Sequence, residues 1–225
     1  MDVVVDSSAM MARLGEVAVW SFDLAAWGEC TQAPDERAAL AAFARRAQIA
    51  PTKVRVTERL TGRDFVFQED LAPTTDAQIT RTLQILDEQR ARTLALLDSA
   101  SDDDLDRRDD AVRQPSWMSW RTPRGILHHI ADTEARAYPR WCGLPQLGQV
   151  DGLRAELEAS ADHIKRIIKE MPRSFTTEHR GETWTSVKLL RRLAWHERIE
   201  LIFLARRLDP TAHRERMGRD RDRRH

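Results

Sequence analysis

The stretch VKLLRRLAWHERIELIFLARRL, residues 187–208, decides how the second half of the chain folds. It contains neither Gly nor Pro and is dominated by Leu, Arg, Ala and Glu, so one helix over Val187–Leu208 is expected. Steps of four and three place Leu189, Leu193, His196, Glu200 and Phe203 on one stripe, while Arg191, Arg198 and Arg206 point elsewhere. A histidine and a glutamate therefore share a face with Leu and Phe. Burying an ionised carboxylate among apolar groups is costly unless it is paired or coordinates a metal.

A metal is one resolution. His196 and Glu200 stand four residues apart, one helical turn, so both can reach a single ion, and a third ligand must come from another helix. His129 is the best candidate, because Ile126, Ile130 and Thr133 flank it on a mostly apolar stripe. His128 shares its face with Arg124 and Asp132 and is expected to point outward. The other resolution is a buried ion pair between Glu200 and Arg136 or Arg192, with His196 as an ordinary core histidine. Spacing alone leaves both open. Glu197 lies off the stripe, a poor position for direct contact with the ion; it is left as a partner or base beside His196.

Working outward, three more long helices are expected. Ile79, Leu83, Leu86, Leu94 and Leu97 recur at helical spacing within Asp76–Ser99. Thr122 as N-cap and Pro123 at the first helical position open a helix that runs towards Pro139. Leu153, Leu157, Ile164 and Ile168 mark a helix over Gln149–Met171, stopped by Pro172. Ser101 caps a short acidic turn, Asp102–Asp104. Four long helices suit a bundle.

The first part reads differently. Val3–Val5, Glu16–Phe22 (with Val17, Val19 and Ser21 on one side) and Trp27–Thr31 have strand character, followed by a helix over Asp35–Ala47 ended by Pro51. Lys53–Arg59 and Phe65–Glu69 return to strand, joined by a turn at Thr61–Arg63. The expected fold class is thus α+β: a small α+β module over residues 1–73, then an all-α four-helix bundle over 74–212. The boundary falls at Pro73–Asp76, and a charged tail, 213–225, is expected to be disordered.

The helical half resembles the DinB-like metal-binding superfamily. Ile126–Glu134 is similar to the family segment in which a His follows an apolar pair and precedes Ile-Ala-x-x-Glu, which assigns the ligand role to His129. Trp184–Arg198 is similar to the family's closing helix, where the motif commonly runs His-Glu-x-x-His; His196 matches the second ligand, and Glu200 occupies the position where the family usually has His. The resemblance, over roughly 130 residues, implies a divalent ion (zinc, nickel, iron or manganese) held by His129, His196 and Glu200, since two His and one carboxylate form a competent set. It implies thiol transfer or hydrolysis on a small-molecule substrate, with a low-molecular-weight thiol as one partner. The alternative is a non-catalytic scaffold or interaction protein whose site degenerated when the third His became Glu. Residues 17–31 and the helix from Asp35 resemble the HicB-like antitoxin fold, with Glu29 intervening between Gly28 and Cys30.

Composition narrows the partners. Lys+Arg and Asp+Glu both number 36, so no general attraction to nucleic acid or membrane is expected. No segment approaches the roughly 20 apolar residues needed to span a bilayer, and no signal peptide is read at the N-terminus. The two cysteines, Cys30 and Cys142, form no CxxC pair and fit a reducing cytoplasm. Cys142 has no activating neighbour in sequence and is expected to be structural. Trp117, Trp120, Trp141, Trp184 and Trp195 either line a pocket or cement helix packing. Ile199, Leu201, Ile202 and Leu204 make the closing helix apolar on most sides, which suggests a homodimer interface or cover by the N-terminal module.

Overall fold

The computed structural model describes residues 1–63, 66–108 and 119–208. The first third is a four-stranded sheet. Strand β1 (Asp2–Ser8), helix α1 (Ala9–Leu14), β2 (Val17–Trp20), β3 (Cys30–Ala33), α2 (Glu36–Arg46) and β4 (Arg55–Gly62) follow in sequence. The strand order is β3-β2-β1-β4, with β1 and β4 parallel and the other pairs antiparallel. The β-branched run Val3–Val5 is buried on both faces of the central strand. Val3, Val5 and Val19 meet Ala39 and Phe43 of α2 on one face. On the other, Val4, Trp20, Leu60 and Phe67 meet Trp195. The Asp35 carboxylate caps α2, accepting from the Ala38 amide at 2.8 Å.

The rest is helical apart from one hairpin. Helix α3 (Asp76–Ser99) opens on a capping box in which Thr75 and Gln78 exchange side-chain to backbone bonds of 3.2 and 2.9 Å. The short α4 (Asp102–Asp106) follows its Ser101 cap. Helix α5 (Pro123–Asp132) continues through a π-helical turn (Thr133–Ala137) into α6 (Tyr138–Trp141). Helix α7 (Leu153–Glu170), strands β5 (Thr176–His179) and β6 (Glu182–Thr185), and α8 (Ser186–Leu208) complete the order. Helix α3 packs on α7 and α8, and α5 packs on the same two. The chain is thus mixed α+β, with an N-terminal sheet and C-terminal helices. Among the described residues no helix is long and apolar enough to cross a membrane.

Several expectations need correction. Where it is described, the segment expected as a strand over Phe65–Glu69 is not one: Gln68–Leu71 is a 3-10 turn, tied by the Asp70 carboxylate accepting from the Phe67 amide. Helix α7 starts at Leu153 rather than Gln149, after Gly152 with φ +88°. Helix α1 and the β5–β6 hairpin were not expected. The hairpin's two-residue turn puts Arg180 (φ 53°) and Gly181 (φ 78°) in the left-handed region that a type I′ turn requires. The charged tail and Trp117 lie outside the described residues.

Sheet and helices are joined by buried polar contacts. The Arg191 guanidinium of α8 donates to both oxygens of Asp70, at 3.1 and 2.7 Å, and lies over the rings of Trp20, Phe22 and Phe67. The Trp27 indole donates to Thr82 Oγ1 at 2.8 Å. Gly28, at φ +69°, lets the backbone lie against α8: a Cβ there would stand 2.5 Å from the Ala194 Cβ. The apolar surplus of α8 is largely covered within the chain, since Leu201 and Leu204 pack with Leu105 of α4 and with Ile126 and Leu127 of α5.

Candidate metal centre

Helix α8 buries its whole Leu189–Phe203 stripe, including His196 and Glu200 at 3% and 1% exposure. Opposite it, α5 presents His129, half-buried beneath the indole of Trp120, whose ring stacks on the imidazole at 3.4 Å between centroids. His129 Nε2 lies 3.2 Å from His196 Nε2 and 3.7 Å from Glu200 Oε1. One ligand atom from each of the three residues falls within 4.8 Å of the others, so the group could hold a metal ion.

The tautomer of His196 is set by Glu134. Its Nδ1 stands 3.1 Å from Glu134 Oε1; with Glu134 ionised that oxygen only accepts, so Nδ1 carries the proton and Nε2 offers a lone pair towards His129. Glu134 stands where α5 enters the π turn. Five residues on from His129, it would sit about 140° around an ideal α-helix. Asp132 and Thr133 keep α-helical dihedrals, so that rotation holds, and the i→i+5 bond from the Tyr138 amide to the Thr133 carbonyl widens the helix beyond Glu134. Pro139 supplies a reason for the turn: it has no N–H for the Ala135 carbonyl and its ring crowds that group. The Leu147 amide donates to the Ala135 carbonyl instead, at 2.9 Å.

Behind Glu134 stands a buried ion network. Arg90 of α3 donates from Nη2 to Glu134 at 3.0 Å and from Nε to Glu197 at 2.9 Å. Its Nη1 donates to Ser160 Oγ at 2.8 Å and to the Leu157 carbonyl. Thr93 Oγ1 donates to Glu197 at 2.5 Å. These contacts hold α3, α5, α7 and α8 in one register. Burial, outweighing the pull of Arg90, raises both Glu134 and Glu197 to about 7. Burial lifts Glu200 to about 8, with the Trp120 indole pulling the other way and Glu134 adding to the rise. His129 and His196 are pushed down to about 3 by burial, His129 further by its neighbour His196. Both imidazoles are therefore neutral at pH 7, the form that binds metal.

The donor set fits a divalent ion on three counts. Two nitrogens each about 2.05 Å from a tetrahedral zinc would stand about 3.3 Å apart, close to the observed Nε2 separation. Glu200 Oε2 is buried without a hydrogen bond of ordinary geometry among the described residues. Ionised, Glu134, Glu197 and Glu200 against Arg90 leave two negative charges in the cluster, the charge a divalent ion neutralises.

The ion-pair alternative for Glu200 is not what the structure shows. Arg136 bonds Glu156 at 2.7 Å and Asp132 at 3.4 Å, and the Arg192 guanidinium lies over the rings of Trp20 and Trp195. His128 is exposed, paired with Glu156 at 2.7 Å. Glu197 turns from the three ligand atoms to Arg90 and Thr93. Cys142 is buried, its thiol pushed up by burial to about 12, consistent with a structural side chain. Sequence reasoning missed Arg90 and Glu134 as site residues. No protein-family model, curated protein or solved structure matches the chain.

Proposed function

We propose that the chain is a DinB-like four-helix bundle carrying a HicB-like unit, and that it binds one divalent ion through His129, His196 and Glu200 to act on a small molecule by hydrolysis or thiol transfer. The observation that carries this is the Nε2 pair at 3.2 Å, with Glu134 fixing the His196 lone pair towards it. A bound divalent ion supplies Lewis acidity, lowering the pKa of a water or thiol brought to it. The protein's part is orientation. Glu134 holds the His196 ring and its proton on Nδ1, Arg90 holds Glu134, and Thr133 Oγ1, 3.1 Å from His129 Nδ1, steadies the other imidazole. Glu200 supplies the carboxylate, and Trp120 shields the His129 face from water.

A second reading, a non-catalytic scaffold, is favoured by that same stacked indole, which covers a ligand's ring face. Activity separates the two. Untagged protein loaded in turn with zinc, manganese, nickel or ferrous ion would be assayed for p-nitrophenyl acetate hydrolysis and for conjugation of cysteine or glutathione to an electrophile. Metal-dependent turnover that His196→Ala abolishes is expected. No metal uptake and no turnover in either assay would favour the scaffold.

A further inference from the structure

On the opposite side of α8, a groove of about 610 Å³ runs between α3, α8 and the turn before β3. Its size falls within the roughly 300–1,000 Å³ of small-molecule sites. Leu96, Leu201 and Ile202 give it an apolar floor. Its charge is unbalanced: Arg46, Arg92 and Arg198 face one carboxylate, Glu29. That carboxylate is already used twice, by Arg46 at 2.6 Å and by Arg198 at 3.0 Å. Arg92 has no ion pair among the described residues, and its guanidinium is a planar donor fork suited to an oxyanion. Gln89 adds a second donor. It lines the groove on the same helix, three residues before Arg92.

We infer that this groove binds a small amphipathic anion, a carboxylate or phosphate headgroup on a short hydrocarbon body. Arg92 and the Gln89 amide take the oxyanion, and the hydrocarbon lies along Leu96, Leu201 and Ile202. Ile202, two positions beyond Glu200, is about 200° around α8 from it, so the groove is separate from the metal centre. It does not depend on the metal reading.

Isothermal titration of the full-length protein, with chelator present, tests this using octanoate, octyl phosphate, octanol and octyltrimethylammonium. Saturable binding of octanoate or octyl phosphate at one per chain is expected, and the tighter of the two identifies the headgroup. Arg92→Met, an exposed position whose fold is checked by circular dichroism, should weaken it about tenfold. Gln89→Leu should weaken it while leaving the hydrocarbon contacts intact. No saturable binding of either anion, equal binding of octanol or the cation, or an unchanged affinity in Arg92→Met would overturn the inference.

Discussion

Replacing Arg90 by Met keeps most of the side chain's volume while deleting the cation that bonds both Glu134 and Glu197. Both carboxyls are buried, at 0% and 1% exposure, so neither can turn to water for compensation. Breaking a buried pair by removing one partner costs about 3–5 kcal/mol, and here one guanidinium serves two carboxylates, which places the expected loss at the upper end of that range. The loss depends on pH. Glu134 and Glu197 are already raised to about 7 with Arg90 in place, against 4.5 for the ordinary group, and they rise further without it. The folded variant then holds protons that the unfolded chain releases, so its stability falls as pH rises and the penalty is largest on the alkaline side. Urea denaturation in chelator at about pH 5.5 and about pH 8 reads both quantities. Adding Glu197→Gln to the variant removes one stranded charge and should recover part of the loss. A loss below about 1 kcal/mol at both pH values, as for an exposed pair, would refute the reasoning, as would a larger loss at the acidic end.

Other consequences are as specific. Glu134→Gln offers His196 Nδ1 a weaker acceptor and no charge, and should lower zinc affinity about 10–100-fold in a competitive-chelator titration with little change in fold. Gly28→Ala forces a Cβ to 2.5 Å from Ala194 Cβ at φ +69° and should lower stability by about 2 kcal/mol or more, whereas Gly181→Ala, with open space around it, should cost about 1 kcal/mol from its positive φ alone. Metal-free protein should lose stability from pH 6.5 towards pH 8, because Glu134, Glu197 and Glu200, raised to about 7, 7 and 8, keep protons the unfolded chain has lost. Below pH 6.5 the two histidines, depressed to about 3, act in the opposite sense, since the unfolded chain binds protons they refuse. Saturating zinc should flatten the alkaline limb, as the metal takes the place of protons in the site; a limb of unchanged slope in urea titrations would argue against that exchange.

The elements that were legible in the sequence are those whose signals are local. Helix α3 could be bounded because the Pro73–Asp76 stretch marks its start and its leucines keep helical spacing as far as Ser99. His196 and Glu200 stood out because two polar groups interrupt a leucine stripe. Arg90 did not, because a charged residue on an amphipathic helix reads as solvent-facing, and its partner Glu197 is 107 positions away. Glu134 lies about 140° around the helix from His129, so helical spacing gave no cue that it meets His196, and Pro139, the cue to the π turn, was read only as a stop. The β5–β6 hairpin is short and polar, Thr176–His179 against Glu182–Thr185, with little alternation beyond Trp184 and only Arg180–Gly181 as a turn signal.

The metal content of untagged protein, measured alongside Glu200→Ala and Glu200→His, tests the central claim most directly. The account predicts close to one divalent ion per chain in the native protein and clearly less in Glu200→Ala, because Glu200 supplies the carboxylate beside the two Nε2 atoms. No metal in the native protein, with metal gained only in Glu200→His, would contradict it and show a site that has lost its ion.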